Sequence, residues 1–296
     1  KTMPDFFGSR YGGKPLKIAA SAIVFVFLVP YTASIYNGLS RLFEMAFHIP
    51  YAWCVIGMAV FTGIYVILGG YMATAINDFI QGIIMLAGII VVIAAVLNGQ
   101  GGFLEAVGKM AEIPSDVEIT LGQPGAFTSF FGPDPGNLLG VVILTSLGTW
   151  GLPQMIGKFY AIKDEKSINT GTVISTVFAI VVSGGCYFLG GFARLFDAPA
   201  IYDEAGAVVY DSIIPHMLSA LPDILIGIVV VLVLSASMST LASLVLTSSS
   251  TLTLDFLKDN LLKEMSEKRQ VRTMQVLVIF FIAVSVFIAL DPPSFI

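Results

Sequence analysis

Residues 235–253 read SASMSTLASLVLTSSSTLT, a run of 19 residues in which 11 side chains carry a hydroxyl group and none carries a charge. The spacing predicts a helix with a polar stripe along one face. The stripe contains Ala236, Ser239, Thr240, Ser243, Thr247 and Ser250. A row of neutral oxygens suits a hard monovalent cation, which needs oxygen ligands but no large opposing charge. The alternative is that these hydroxyls bond back to helix carbonyls or pack against a neighbouring helix.

The composition around this segment is typical of an integral membrane protein. Hydrophobic residues make up 56% of the 296 and charged residues 12%, about half of the 25% that soluble domains carry, and the mean hydropathy is +0.89. The net charge of −5 argues against nucleic-acid binding, and the two cysteines exclude a disulfide scaffold. We predict an all-α, polytopic membrane protein with about seven transmembrane helices and no nucleic-acid partner.

Seven hydrophobic runs have roughly the 20 residues needed to cross about 30 Å of hydrocarbon. They form a single predicted transmembrane domain and are numbered here as the first to seventh spans: 18–39, 51–69, 80–97, 138–160, 171–192, 224–253 and 273–290. Two connections are long. Residues 98–137 contain an amphipathic stretch at 103–113, and residues 194–223 contain a short helical pattern near 212–221. Each connection forms either a lid over the outer face or an ordinary solvated loop.

The orientation of the spans follows from the basic residues, which concentrate in cytoplasmic loops. Three loops on one predicted side hold 12 of the 15 basic residues, and the other side holds Arg41, Lys109 and Arg194. Seven alternating crossings reproduce this division. We therefore predict that the N-terminal end of this chain is cytoplasmic.

Asp78 is the one carboxylate that the sequence places close inside a predicted span, in GGYMATAINDFIQG at 69–82. Carboxylates at such depth usually mark ion or proton pathways. The other interpretation is a carboxylate at the N-terminus of a helix, following a tight turn at Gly69 and Gly70. The residues alone leave both open.

The fourth span contains a predicted helix break at Gly148–Pro153, which reads GTWGLP. Pro153 has no N–H to donate to the carbonyl of Thr149, and the two glycines weaken the helix around it. Broken membrane helices are tolerated where the freed backbone lines a cavity, and transporters place substrates there. We favour a cavity, with Trp150 as its wall, over a plain proline kink with Trp150 as an interfacial anchor. No HExxH, GxSxG, Walker or CxxC motif occurs, so we expect no enzyme activity.

Together these motifs resemble the sodium:solute symporter family, and most closely its pantothenate and proline branches. The resemblance rests on PDFFGSRYG (4–12), RLFEMAFHIPY (41–51), GGYMATAINDFIQG (69–82), TWGLPQMIGKFYAIKDEKS (149–167) and SASMSTLASLVLTSSSTLTLDFLK (235–258). It implies the leucine-transporter architecture of two inverted five-helix repeats. Since seven spans hold only part of both repeats, we expect the chain to be truncated at both ends. The broken first helix of repeat one would then lie outside these residues.

The resemblance also implies site residues. The family's sodium site falls on the carbonyl of Ala236 and the hydroxyls of Ser239 and Thr240. Some members have a second sodium site that corresponds to Asp78, Ser239 and Ser243.

This chain departs from the pattern of that second site, because Ala242 stands where those members have serine. Asp78 therefore belongs either to the second site or to the ion exit path. Thr149, Trp150 and Pro153 match positions near the substrate and the inner gate. Ala179 lies in the region where the sugar carriers have a lysine, which makes a sugar substrate less expected.

The implied function is sodium-coupled symport of a small organic solute by alternating access, in a plasma membrane that is expected to be a bacterial inner membrane. Pantothenate, proline or another amino acid, and monocarboxylates are the expected solute classes. Sodium is the coupling ion, no other cofactor is expected, and the partners are the solute, sodium and the lipid bilayer. The alternatives are the symporter-like sensing domain of a membrane histidine kinase, or a channel. The sequence does not determine the sodium stoichiometry or the oligomeric state.

Overall fold

The computed structural model describes residues 2–159, 162–196, 201–202, 206, 208–261 and 265–291, with only the backbone described at 70–74 and 259–261. Within these residues the structure is helical, and its only strand-like pairing is an isolated bridge between Tyr202 and Val208. The α-helices are α1 Met3–Tyr11, α2 Lys14–Phe47, α3 Tyr51–Gly99, α4 Phe103–Glu112, α5 Pro135–Gly148, α6 Pro153–Phe159, α7 Glu165–Phe178, α8 Gly184–Gly191, α9 Tyr210–Ser219, α10 Asp223–Thr251 and α11 Glu267–Leu290. The predicted all-α class is confirmed.

Six stretches in the described part of the chain are long and apolar enough to cross a membrane. They are Lys14–Phe47, Tyr51–Gly69, Ala75–Gly99, Glu165–Leu195, Asp223–Lys258 and Glu267–Leu290. A seventh candidate consists of two helical pieces, Pro135–Gly151 and Pro153–Phe159, with a break between them. The prediction of about seven transmembrane helices is therefore confirmed. Helix α2, with 34 residues, is about 51 Å long and exceeds the hydrocarbon thickness.

The chain divides into two compact units, the first made of 1–85, 153–168 and 230–296, and the second of 86–152 and 169–229. In the first unit, α2, α10, α11 and the start of α3 share one apolar core. Tyr36, Leu241 and Phe281 are fully buried in that core.

Two fully buried hydroxyls in the first unit are satisfied within their own helices. Thr32 donates to the carbonyl of Leu28 at 2.8 Å, and Ser285 donates to the carbonyl of Phe281 at 2.9 Å. Such bonds to the carbonyl one turn earlier are a common way for a buried hydroxyl to be satisfied within a helix.

A polar clasp joins the ends of α2, α3 and α11 in the first unit. The hydroxyl of Tyr51 lies 3.0 Å from the side-chain oxygen of Asn37 and 2.6 Å from the carbonyl oxygen of Ala289. Arg41 lies over the Tyr51 ring at 4.5 Å and pairs with Glu44 at 3.4 Å, as the spacing of these two residues predicts. The clasp therefore fixes residues near both ends of the chain against one another.

Helix α1 is held against the beginning of α2 and the end of α10. Gly8 allows this close approach, because an added Cβ there would lie 3.2 Å from the Cβ of Lys17. The ammonium of Lys17 lies 3.1 Å from both Asp5 on α1 and Asp255 in the π-helical segment Leu252–Leu261 that follows α10. The basic stretch before the first predicted span, which the sequence counts among the cytoplasmic loops, contains this helix instead.

The backbone of α3 stays helical through Gly69 and Gly70, so the inter-helix turn considered for these glycines does not interrupt it. A hydrogen bond shows that the helix nevertheless bends between Tyr65 and Asn77. The side-chain amide of Asn77 donates to the hydroxyl of Tyr65 at 2.9 Å. A straight helix would separate residues twelve apart by about 18 Å.

In the second unit, the predicted amphipathic helix at 103–113 is confirmed as α4 and packs through Ala106 and Met110 against Phe192. Gly185 on α8 fits closely against α3, since an added Cβ would lie 3.0 Å from Ile89. Arg194 pairs with Asp116 at 3.1 Å. The long connection after α3 is therefore fastened to the end of the Glu165–Leu195 span.

Candidate ion and solute site

The C-terminal half of the hydroxyl stripe of α10 faces a cavity of about 630 Å³ that lies entirely within the first unit. Ser243, Thr247 and Ser250 line this cavity, together with Thr251 on the next turn. Helical periodicity places these residues on one face, as the sequence predicts. Ser239 and Thr240 are half-buried one turn before Ser243 on α10 and are not among the described residues that line the cavity.

Several of these hydroxyls also bond back to the helix, as the alternative interpretation of the stripe expects. Thr240 donates to the carbonyl of Ala236 at 3.0 Å, and Ser250 donates to the carbonyl of Thr247 at 3.1 Å. The lone pairs of these hydroxyl oxygens remain able to accept or coordinate while the proton is donated. Back-bonding and cation binding are therefore compatible on this stripe.

The first of these bonds bears on the predicted sodium ligands. It brings the carbonyl oxygen of Ala236 and the hydroxyl oxygen of Thr240 within 3.0 Å of one another, with Ser239 between them in sequence. Two of the three expected ligand atoms thus lie side by side on α10. A helical threonine that bonds back to the carbonyl one turn earlier has this geometry in any helix, so the sodium role of these residues stays a prediction.

Asp78 lies in the interior of α3 and lines the same cavity as Ser243. It is not at a helix N-terminus, so the explanation from the helix dipole no longer applies. Its Oδ2 lies 3.0 Å from the ammonium nitrogen of Lys158 on α6. Its Oδ1 is buried and has no hydrogen-bond partner among the described residues.

The predicted break in the fourth span is present. Helix α5 ends at Gly148, and one 3-10 turn follows at Thr149–Gly151. Leu152 is extended (φ −68°, ψ 119°), and Pro153 then begins α6. The hydroxyl of Thr149 donates to the carbonyl of Ser146 at 3.0 Å.

The three residues predicted near the substrate divide between the two units. Pro153 belongs to the first unit and lines its cavity. Thr149 and Trp150 belong to the second unit, where the side chain of Trp150 is exposed. Their substrate and gate roles stay predictions.

Several polar residues at the cavity belong to no local sequence motif that would predict them. Gln154, Lys158 and Gln275 line it, and Gln154 is buried with its Oε1 atom unpartnered among the described residues. The prediction that Asp78 is the one carboxylate close inside a span is wrong, because Asp255 lies within the candidate span Asp223–Lys258 and is 3% exposed. The predicted end of the sixth span at residue 253 excluded it by two positions.

The apolar helices, the broken span and a cavity whose lining includes hydroxyl and carboxylate oxygens are features typical of multi-pass membrane transporters. The model of the sodium:solute symporter family matches residues 1–296. The chain belongs to the sodium:solute symporter family. This family consists of transporters and not enzymes, as the sequence predicts.

Several curated relatives are symporters or transporters. The chain is 30% identical to the sodium/pantothenate symporter of Haemophilus influenzae, over 100% of this chain and 59% of that protein. It is 27% identical to the osmoregulated proline transporter OpuE of Bacillus subtilis, over 99% of this chain and 58% of the relative. It is 29% identical to a sodium/proline symporter of Staphylococcus aureus, over 96% and 55% of the two chains. The chain therefore spans somewhat more than half the length of these relatives.

Among solved structures, the chain is similar to a Na+-coupled sialic acid symporter in a substrate-bound, outward-open state. The TM-score is 0.77 at 13% sequence identity, over 98% of this chain and 61% of the other. At this identity the likeness establishes the fold. It confirms the leucine-transporter-type fold class that the motifs imply.

Proposed function

We propose that this protein carries out sodium-coupled symport of a small organic solute by alternating access. The observation that carries the proposal is a row of hydroxyls on α10 that shares a cavity with the carboxylate of Asp78 inside a broken-helix membrane fold. Hydroxyl and carboxylate oxygens are ligands for a hard cation. A site at the end of a broken helix is where transporters of this kind bind their solute.

The primary sodium site of the proposal consists of the Ala236 carbonyl and the hydroxyls of Ser239 and Thr240. Sodium bound there stabilises the conformation that accepts solute from outside. Asp78 and Ser243 form a second ion site or an exit path, and their common cavity supports this pairing. Thr149, Trp150 and Pro153 contact the solute or form the inner gate.

The solute belongs to the pantothenate, amino-acid or monocarboxylate class. The sodium/pantothenate and sodium/proline symporters among the relatives support this choice. The membrane is a bacterial plasma membrane, and the N-terminal end of this chain faces the cytoplasm, in agreement with the distribution of basic residues. The cavity that Thr2, Met3 and Lys158 line then lies toward the cytoplasmic side.

The test is uptake of radiolabelled proline, pantothenate and monocarboxylates into proteoliposomes that contain the natural gene product, with an inward sodium gradient or an equal potassium gradient. Ser239→Ala and Thr240→Ala are expected to raise the half-saturating sodium concentration of uptake. Ser248→Ala is the matched control, because Ser248 is fully buried on the same helix and does not line the cavity. An unchanged sodium dependence in both variants would contradict the assignment.

The same preparation distinguishes the two alternatives. A channel would give sodium conductance without saturable solute uptake. A sensing domain would bind solute without accumulating it against a gradient. Either result would refute symport.

A further inference from the structure

The two oxygens of Asp78 have different surroundings. Oδ2 accepts a hydrogen bond from the ammonium of Lys158 at 3.0 Å, whereas Oδ1 is buried and unpartnered in the described part of the chain. The side chain of Asp78 is 19% exposed and that of Lys158 is 45% exposed. One half of a largely buried carboxylate is thus neutralised by a cation that reaches it from a more exposed position.

The unsatisfied groups around this ion pair are acceptors. Gln154 and Lys158 are four residues apart on α6 and therefore share a helix face. The Oε1 atom of Gln154, like Oδ1 of Asp78, has no partner among the described residues, and Gln154 is only 5% exposed. Ser243 and Thr247 add hydroxyl oxygens to the same cavity. Buried acceptors without donors are costly, and a small cation would satisfy them.

Lys158 already places one positive charge on this carboxylate, and a second cation there would meet it at close range. Like charges repel more strongly at a site that is partly shielded from water than they do in bulk solvent. The ammonium and a metal cation are therefore alternative occupants of Asp78. Lys158 is able to leave, because its side chain is a flexible four-carbon stem that is nearly half exposed.

We propose that Lys158 is a tethered cation that competes with sodium for Asp78. Sodium on Asp78 displaces the ammonium of Lys158, and loss of sodium to the cytoplasm restores the ion pair. Lys158 contacts neither the ion nor the solute in this scheme, and it is a positioning residue that acts through Asp78. The inference rests on the proposed sodium symport and adds to it a residue that lowers the affinity of the carboxylate for sodium.

The first test uses the wild-type protein, so it does not depend on a variant that folds. The rate of reductive methylation of Lys158 is measured by mass spectrometry in sodium chloride and in potassium chloride of equal ionic strength, since salt alone screens ion pairs. Sodium is expected to raise the rate of methylation about two- to sixfold, because it releases the Lys158 ammonium from a partly exposed ion pair and such pairs are weak. Lys166, exposed on α7, is the internal control and is expected to react equally in both salts. Equal labelling of Lys158 in the two salts would overturn the proposal.

The second test uses variants in the uptake assay. Lys158→Met removes the competitor and is expected to lower the half-saturating sodium concentration about two- to sixfold, whereas Lys158→Arg keeps the charge and stays near the wild-type value. Lys166→Met is the control for removing a positive charge from this region. An unchanged or higher sodium requirement in an active Lys158→Met protein would overturn the competition. Wild-type uptake that does not depend on sodium would instead refute the proposed function.

Discussion

The ion triad of Lys17, Asp5 and Asp255 is expected to be the main polar attachment of α1. Lys17 lies 3.1 Å from each carboxylate, but the two pairs differ in burial. The side chains of Lys17 and Asp255 are 16% and 4% exposed, whereas that of Asp5 is 40% exposed. The Lys17–Asp255 pair therefore behaves as a buried pair and the Lys17–Asp5 pair as a surface pair.

This difference sets the size of each effect. Removing one partner of a buried pair costs about 3–5 kcal/mol, because the other charge is left without compensation. Since Lys17 keeps some exposure, we expect Lys17→Met to lower the free energy of unfolding by about 2–4 kcal/mol. Methionine retains much of the apolar stem that packs on Gly8, so the loss reports mainly on charge. Asp5→Asn removes a surface pair and is expected to cost less than about 1 kcal/mol.

The assay is equilibrium unfolding of the purified protein in mixed micelles. A double-mutant cycle with Lys17→Met and Asp255→Asn isolates the pair, and we expect a coupling free energy of about 1–3 kcal/mol. Asp5→Asn serves as the control variant in the same micelles. Losses from Lys17→Met no larger than those from Asp5→Asn, or strict additivity in the cycle, would refute this reasoning.

Two further predictions concern the second unit. Gly185→Ala places a Cβ 3.0 Å from Ile89 and is expected to lower the free energy of unfolding by about 1–3 kcal/mol, which lowers the midpoint of thermal unfolding. Gly190→Ala is the control, because an added Cβ there would have no atom within 4 Å. Equal midpoints for the two variants would contradict the close packing at Gly185. The hydrogen bond from Arg194 holds the pKa of Asp116 below its ordinary value. The pair therefore stabilises the connection between α4 and α5 at a pH above the unfolded pKa of about 3.9, and this stabilisation is lost as the pH falls through the folded pKa. Amide hydrogen exchange at 114–134 is therefore expected to differ between wild type and Asp116→Asn at neutral pH and to converge in acid, and a difference that persists in acid would contradict this.

Features that depend on local chemistry could be predicted from the sequence. The hydroxyl stripe follows from helical periodicity alone, and the break before Pro153 follows from the missing N–H and the nearby glycines. Helix α4 follows from its amphipathic spacing. Each of these signals lies within about twenty consecutive residues.

Features that depend on tertiary packing could not be predicted. Asp78 and Lys158 are 80 residues apart, and no pattern in the sequence around either residue predicts that they form a pair. Asp255 lies just past the apolar run, where the sequence indicates an ordinary interfacial charge. Its burial and its pairing with Lys17 depend on helices that are distant in sequence. The burial of Gln154 likewise depends on the helices around it.

The clasp at Tyr51 has a consequence for how the protein is made. Its carbonyl partner on Ala289 is 238 residues further along the chain. At synthesis rates of about 5–20 residues per second, that acceptor reaches the membrane roughly 12–48 s after the hydroxyl that contacts it. During this interval the early helices stand in the bilayer without α11. The first unit therefore closes only after all of the second unit has been synthesised.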